Sequence, residues 1–264
     1  MSLHIETRGT GPALVLLHGW GLHSGIWEGL LPRLEDRYRV MCIDLPGHGR
    51  SDWHGQATLD DWVNEVLTVA PPTAAWLGWS LGGLLAMRAA VLAPGRVSAL
   101  LSLASTPSFV RRSSWQSAML PVLLDTFAGE LEQDYSRTLG RFLALQVRGS
   151  EQASAVLGTL RKQLLACGEP NAQALSAGLA ILRDSDLRSE LQTIAAPVQL
   201  IMGERDTLVP LNAAKQTQAL CRDARLEIIA GAGHAPFLAA PNAVVACVAK
   251  FLDGMVSTEG STSL

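Results

Sequence analysis

Apolar residues follow two patterns along this chain, and the patterns occupy different stretches. In the first hundred residues, short continuous apolar runs end in glycine or proline. Ala13–Leu17 runs into His18-Gly19, and Arg39–Asp44 into Leu45-Pro46-Gly47. Ala74–Leu77 ends at Gly78, and Val97–Leu103 ends near Ser105-Thr106-Pro107. Runs of this length between turn residues predict strands covered on both faces. Between them, Leu59–Val69 and Leu81–Leu92 have helical spacing, and Ala93-Pro94-Gly95 stops the second. Strands alternating with helices imply βαβ units and a parallel sheet. From about Pro107 to Arg183 the pattern becomes one of helices, with breaks at Pro121, Gly149, Gly168 and Pro170. Strand-like runs resume at Val198–Met202 and Leu226–Ala230. The expected organisation is an α/β core over 1–106 and 184–256 and a helical insert over 107–183. A small, polar tail over 257–264 is expected to fray.

Composition narrows the class. At 264 residues and 48% hydrophobic, the chain can bury a sizeable core, and it is not intrinsically disordered. A net charge of −3 gives no reason to expect a nucleic-acid partner. There is no apolar run long enough for a membrane span, and Met1–Arg8 lacks the layout of a secretory signal. The four cysteines, Cys42, Cys167, Cys221 and Cys247, are far apart and show no metal-ligand spacing. A reduced, cytoplasmic, monomeric protein without metal is the expectation.

Gly78-Trp79-Ser80-Leu81-Gly82 fits G-x-S-x-G between a predicted strand and a predicted helix, the context of a nucleophile elbow. Its glycines permit a sharp turn, and free N–H groups at the helix start favour developing negative charge. A serine nucleophile needs a base, and the base needs an orienting acid. On folds with such an elbow, acid and base follow the serine in that order. His4, His18, His23, His48 and His54 all precede Ser80, which leaves His234, just past the run Leu226–Ala230. Asp206 follows the run Val198–Met202 and is the expected acid. Glu204 is its rival unless it pairs with Arg205, and Asp184 and Asp186 follow no strand. The backbone N–H groups of Leu81 and Trp20 are the expected oxyanion donors. The Trp20 side chain would line an acyl pocket, and His18 would brace its loop.

The segments L-L-H-G-W, D-L-P-G-H-G-R-S-D, G-W-S-L-G-G and A-G-H-A-P-F resemble the α/β-hydrolase superfamily over nearly the whole chain. That resemblance implies a mostly parallel central sheet flanked by helices, with a helical cap inserted after the sixth strand. Together with Leu16–Leu22 and Trp76–Gly83, the cap segment Arg141-Phe142-Leu143-Ala144-Leu145-Gln146 is similar to the BioH-type carboxylesterases of biotin synthesis. Those enzymes hydrolyse the methyl ester of pimeloyl-acyl-carrier protein. The resemblance implies a serine carboxylesterase that needs no cofactor. Its substrate-binding residues would be Trp20, Ser80, Leu81, Phe142, Leu143, Ala144, Leu145, Gln146 and His234. Other readings are a broad short-chain carboxylesterase, a C–C bond hydrolase or a perhydrolase. A catalytically silent module that binds acyl-carrier protein is the reading without chemistry.

The insert adds a charge argument. Residues Pro107–Leu165 carry seven basic and five acidic side chains in a chain that is acidic overall. At 100° per residue, Arg137, Arg141 and Arg148 fall on one stripe, provided one helix runs through Arg148 and stops at Gly149. The stripe is either a solvated face or, as the resemblance implies, a docking face for an acidic carrier protein with a phosphopantetheine arm.

Overall fold

The computed structural model describes residues 2–259 apart from Gln56, Leu165 and Glu169. The chain begins with β1 (Ile5–Arg8), β2 (Ala13–Leu17), the short α1 (Leu31–Leu34) and β3 (Arg39–Ile43). It continues with α2 (Leu59–Val69), β4 (Ala74–Trp79), α3 (Leu81–Leu92) and β5 (Val97–Leu103). Four helices follow: α4 (Pro121–Gln133), α5 (Tyr135–Gln146), α6 (Ala153–Leu164) and α7 (Ala172–Asp184). The remainder is β6 (Val198–Gly203), α8 (Leu211–Leu220), β7 (Ala224–Ile229), α9 (Pro236–Ala239) and α10 (Pro241–Glu259).

The seven strands form one sheet in the order β1-β3-β2-β4-β5-β6-β7, parallel throughout except for β1 against β3. The continuous apolar runs are explained by burial on both faces. Val15 and Leu17 of β2 enter one core with Trp62, Trp76 and Leu84, while Leu14 and Leu16 enter another with Trp27, Leu77 and Phe251. Fully burying one such aliphatic side chain contributes about 1.5–3 kcal/mol. Helix α3 is apolar almost all round and lies buried against the sheet.

The structure departs from expectation at several points. Strand β1 pairs Ile5–Arg8 with Val40–Ile43 at the sheet edge. Its half-buried and exposed residues lack the apolar run that marks the inner strands. The helical insert follows the fifth strand, not the sixth. Pro121 starts α4 and does not break it, because the first helical turn needs no donor there. Ser257–Glu259 are the last residues of α10, while 260–264 of the expected tail lie outside the described residues. Helix α5 ends at Gln146 with Val147 as its cap, so Arg148 is not on the helix. Its N–H bonds Leu145 O in the turn that follows.

The two ends of the insert meet. The Arg112 guanidinium donates to the carbonyls of Arg183, Asp184 and Ser185, and Leu187 N–H donates to Pro107 O. Among the described residues, no helix is long and apolar enough to cross a membrane.

The packing of α3 yields a paired prediction. A Cβ on Gly82 would lie 2.3 Å from Leu17 O, whereas one on Gly129, on the exposed face of α4, meets nothing within 4 Å. Gly82→Ala should destabilise the fold by at least about 1–3 kcal/mol through backbone overlap. Gly129→Ala should stabilise it by about 0.5–1 kcal/mol, since glycine is a poor helix former. Thermal melts of both variants check this, and equal effects would contradict the packing argument.

Candidate active site

Ser80 sits between β4 and α3 with φ 54° and ψ −117°, a region that L residues rarely occupy. The strain is held from several sides. Ser80 N–H donates to Leu103 O at 3.0 Å, and the Ser105 hydroxyl donates to Ser80 O at 2.7 Å. A Cβ on Gly78 would lie 2.1 Å from Gly82 O, so the strand and helix can approach this closely only through glycine.

Three side chains from three loops form one relay. The Ser80 hydroxyl lies 2.9 Å from His234 Nε2, and His234 Nδ1 lies 2.8 Å from Asp206 Oδ2. The other Asp206 oxygen accepts N–H bonds from Leu208 at 2.8 Å and Val209 at 3.0 Å. With its acceptor capacity used in this way, the carboxylate fixes the tautomer that carries Nδ1–H and leaves Nε2 to accept from serine. Glu204 does not join the relay; it accepts Gly231 N–H at 2.8 Å, while Arg205 pairs with Glu151. Ser80 is 4% exposed and His234 2%, so water is largely excluded.

Gly19 packs against this centre. A Cβ there would come within 3.3 Å of Ser80 Cβ and 3.0 Å of the Trp79 ring, which brings the Gly19-Trp20 backbone beside the nucleophile position. Among the described residues, neither Trp20 N–H nor Leu81 N–H has a hydrogen-bond acceptor in the protein. Two free donors beside a serine hydroxyl suit a developing oxyanion. His18 braces the same loop: its Nδ1 bonds Gly19 O and its Nε2 accepts Leu45 N–H. Asp44 accepts Ser24 N–H and Arg50 N–H, so much of D-L-P-G-H-G-R-S-D serves the loops flanking the site.

The cap residues divide. Phe142 is buried and meets the Trp20 ring edge-on at 4.8 Å, and the Trp20 indole N–H donates to Leu175 O. Leu143 is buried in the other core, with Trp79 and Phe237, and Leu145 is half-buried against the Trp20 core. Ala144 is exposed, contrary to expectation. It lies three residues from Arg141 and seven from Arg137, and that spacing puts it on the outward stripe. Gln146 is buried, and among the described residues its side-chain Oε1 has no partner. Arg137 and Arg141 are exposed on α5, and Arg141 pairs with Glu130 and lies over the Phe127 ring.

Two further contacts hold the histidine. Trp79 Nε1–H donates to His234 O at 2.7 Å, and His234 N–H donates to Gln146 O at 2.9 Å. The first sits at a free position of G-x-S-x-G, and the second is a main-chain bond, so motif reading passes over both.

Residues 12–241 match the family model for the alpha/beta hydrolase fold. The chain belongs to the alpha/beta hydrolase family. This hydrolase is 46% identical over 246 residues to the pimeloyl-[acyl-carrier protein] methyl ester esterase of Nitrosomonas europaea, covering 93% of this chain and 98% of that one. It is 42% identical to the esterase of the same name from Edwardsiella ictaluri, covering 96% and 98%. It is thus a member of that esterase group and a carboxylic ester hydrolase. Its fold matches an Exiguobacterium antarcticum esterase at TM-score 0.85 and 22% identity, covering 95% of each chain. A Pseudomonas aeruginosa hydrolase matches at TM-score 0.81 and 28% identity, covering 95% and 94%.

Two predictions follow from the hydrolase's geometry. Asp206→Asn should cost about 10³–10⁴ in kcat by setting the wrong histidine tautomer. Glu204→Gln should change kcat little, because an amide oxygen can still accept Gly231 N–H; the reverse ranking would move the acid role to Glu204. The second concerns acid stability. Burial, with the nearby His48 charge, pushes His18 down to about 3, and burial pushes His48 down to about 4. In the unfolded chain both titrate at about 6.5, so below that pH the unfolded state binds protons that the folded state refuses. Stability is therefore full above about pH 6.5 and falls toward pH 4, by up to about 1.4 kcal/mol per pH unit for each group. Melting temperature measured from pH 7.5 to 4 checks this. His48→Asn should flatten the decline, and a wild-type curve flat over that range would contradict the account.

Proposed function

We propose that this hydrolase cleaves the methyl ester of pimeloyl-acyl-carrier protein, giving methanol and pimeloyl-acyl-carrier protein, through an acyl-enzyme on Ser80. The mechanism rests on the unbroken Ser80–His234–Asp206 relay. The choice of substrate is supported by full-length relatives of that name at 42–46% identity.

Ser80 Oγ attacks the ester carbonyl while His234 Nε2 takes its proton. The carbonyl oxygen becomes an oxyanion beside the Leu81 and Trp20 N–H groups. As the tetrahedral intermediate collapses, His234 returns the proton to the departing methoxide and methanol leaves. Water then gives a proton to His234 and attacks the acyl carbonyl. Collapse of that second intermediate frees the carboxylate and re-protonates Ser80. Asp206 keeps the imidazole oriented and stabilises its cationic form.

Trp20, Phe142, Leu145 and Gln146 would line the path of the acyl chain, with Leu143 packing the cap behind them. Each methylene buried there contributes about 0.8 kcal/mol. For docking, Arg137 and Arg141 present guanidinium groups on the outer side of α5, and Arg148 adds a third from the following turn. Such forks suit the phosphates and carboxylates of a carrier protein.

The test compares kcat/KM for carrier-bound pimeloyl methyl ester with that for p-nitrophenyl butyrate. Wild type should strongly favour the carrier-bound ester, and a broad short-chain esterase would not. Ser80→Ala should lose about 10⁴–10⁶ in rate on both substrates. Retention of a tenth or more of the activity would refute the mechanism. Arg137→Glu/Arg141→Glu should raise KM for the carrier-bound ester alone, more at low salt than at physiological salt. Equal effects on both substrates would mean that the variant merely disturbs the cap.

A further inference from the structure

The turn between α5 and α6 is tied to both loops that carry the relay. Gln146 O accepts His234 N–H at 2.9 Å, and Glu151 N–H donates to Gly231 O at 3.0 Å. On the acid side, Arg205 immediately precedes Asp206. Its guanidinium pairs with the Glu151 carboxylate at 2.7 Å and reaches Gly149 O at 3.4 Å. Its own N–H donates to Ala232 O at 2.8 Å. Gly231 has φ +66°, and a Cβ there would lie 2.6 Å from the Glu151 carboxylate, so the glycine admits this close approach. One cap residue, Glu151, thus bonds the histidine loop through its backbone and the acid loop through its side chain.

We propose that Arg205 is a positioning residue and Glu151 its partner in the cap, together forming a latch that aligns Asp206 and His234 when the insert is seated. This inference rests on the relay reading above. Ser80 is only 4% exposed, and an acyl chain that displaces the turn between α5 and α6 on entry would strain the Gln146–His234 bond. The latch restores the bond on closure. The ion-paired side chains are 46% and 64% exposed, so the pair contributes little to global stability, and salt screens it. Its effect falls on turnover because His234 moves with the loop it holds.

The experiment measures kcat and KM for p-nitrophenyl butyrate across pH in Glu151→Gln, Arg205→Gln, the double variant and Arg205→Lys, with melting temperatures alongside. The small ester does not need the carrier-docking face. The latch predicts that each Gln variant lowers the high-pH plateau of kcat about two- to fivefold, the scale of one exposed ion pair. KM and melting temperature should hardly move. The double variant should lose no more than either single variant, and Arg205→Lys should recover most of the loss. Wild-type kcat should fall with added salt while the variants stay flat. A purely electrostatic effect on His234 would look different. Loss of the guanidinium would raise the pH midpoint and loss of the carboxylate would lower it, with the plateau unchanged. That result overturns the proposal, as does an unchanged or increased plateau. Ser80→Ala run in parallel keeps the questions separate, since residual activity there refutes the relay itself and not the latch.

Discussion

Helix α3 lies so close to strands β2 and β4 that no side-chain carbon fits between them, and the rest of the site depends on that contact. Glycine at 78 and 82 is required because the alternative places a Cβ about 2 Å from a backbone oxygen. The same closeness forces Ser80 into its strained conformation and exposes the first N–H groups of α3 beside its hydroxyl. Strand β5 then anchors the strained residue through Leu103 O and the Ser105 hydroxyl. Ala104, the neighbour of both, has positive φ as well. Two adjacent strands thus share the cost of presenting one hydroxyl.

The histidine is secured differently. Its backbone carbonyl is held by Trp79 of the core and its N–H by Gln146 of the insert. Its ring spans Ser80 and Asp206, which come from opposite halves of the sequence. The insert therefore does more than cover the site. It supplies one of the bonds that orient His234 and, in the proposed reading, one wall of the acyl path through Phe142, which would couple access and alignment through a single segment.

Much of this was legible in the residues. Strands buried on both faces announce themselves as continuous apolar runs, and each of the four N-terminal runs marks a strand of the sheet. The serine elbow, the acid after β6 and the one histidine beyond Ser80 lie where chain order and strand ends put them, and the structure brings all three within hydrogen-bonding distance. Asp206 is the acid expected from the sequence, and the geometry separates it from its rival Glu204 on the same strand end: Asp206 reaches His234, while Glu204 accepts Gly231 N–H. Strand β1 was illegible because an edge strand with one partner needs no apolar run. The reading of one helix through Arg148 failed because Val147 caps α5 two residues before the glycine expected to stop it. Ala144 points to the acyl pocket only through its place within R-F-L-A-L-Q, whereas helical spacing puts it beside the arginines, where it is exposed. The bonds from Trp79 and Gln146 to His234 were beyond reach because backbone partners leave no mark on side-chain patterns.

The central claim is that Ser80 is the nucleophile for hydrolysis of the carrier-bound methyl ester. The most direct measurement is stoichiometric labelling with a p-nitrophenyl alkylphosphonate, which phosphonylates an activated serine and releases p-nitrophenol. Peptide mass spectrometry and residual activity on carrier-bound pimeloyl methyl ester are then read on the same sample. The account predicts one phosphonyl group per chain, on the peptide containing Ser80, with activity lost in proportion to labelling. Full activity after Ser80 is labelled, or inactivation with the label on another residue, would contradict it.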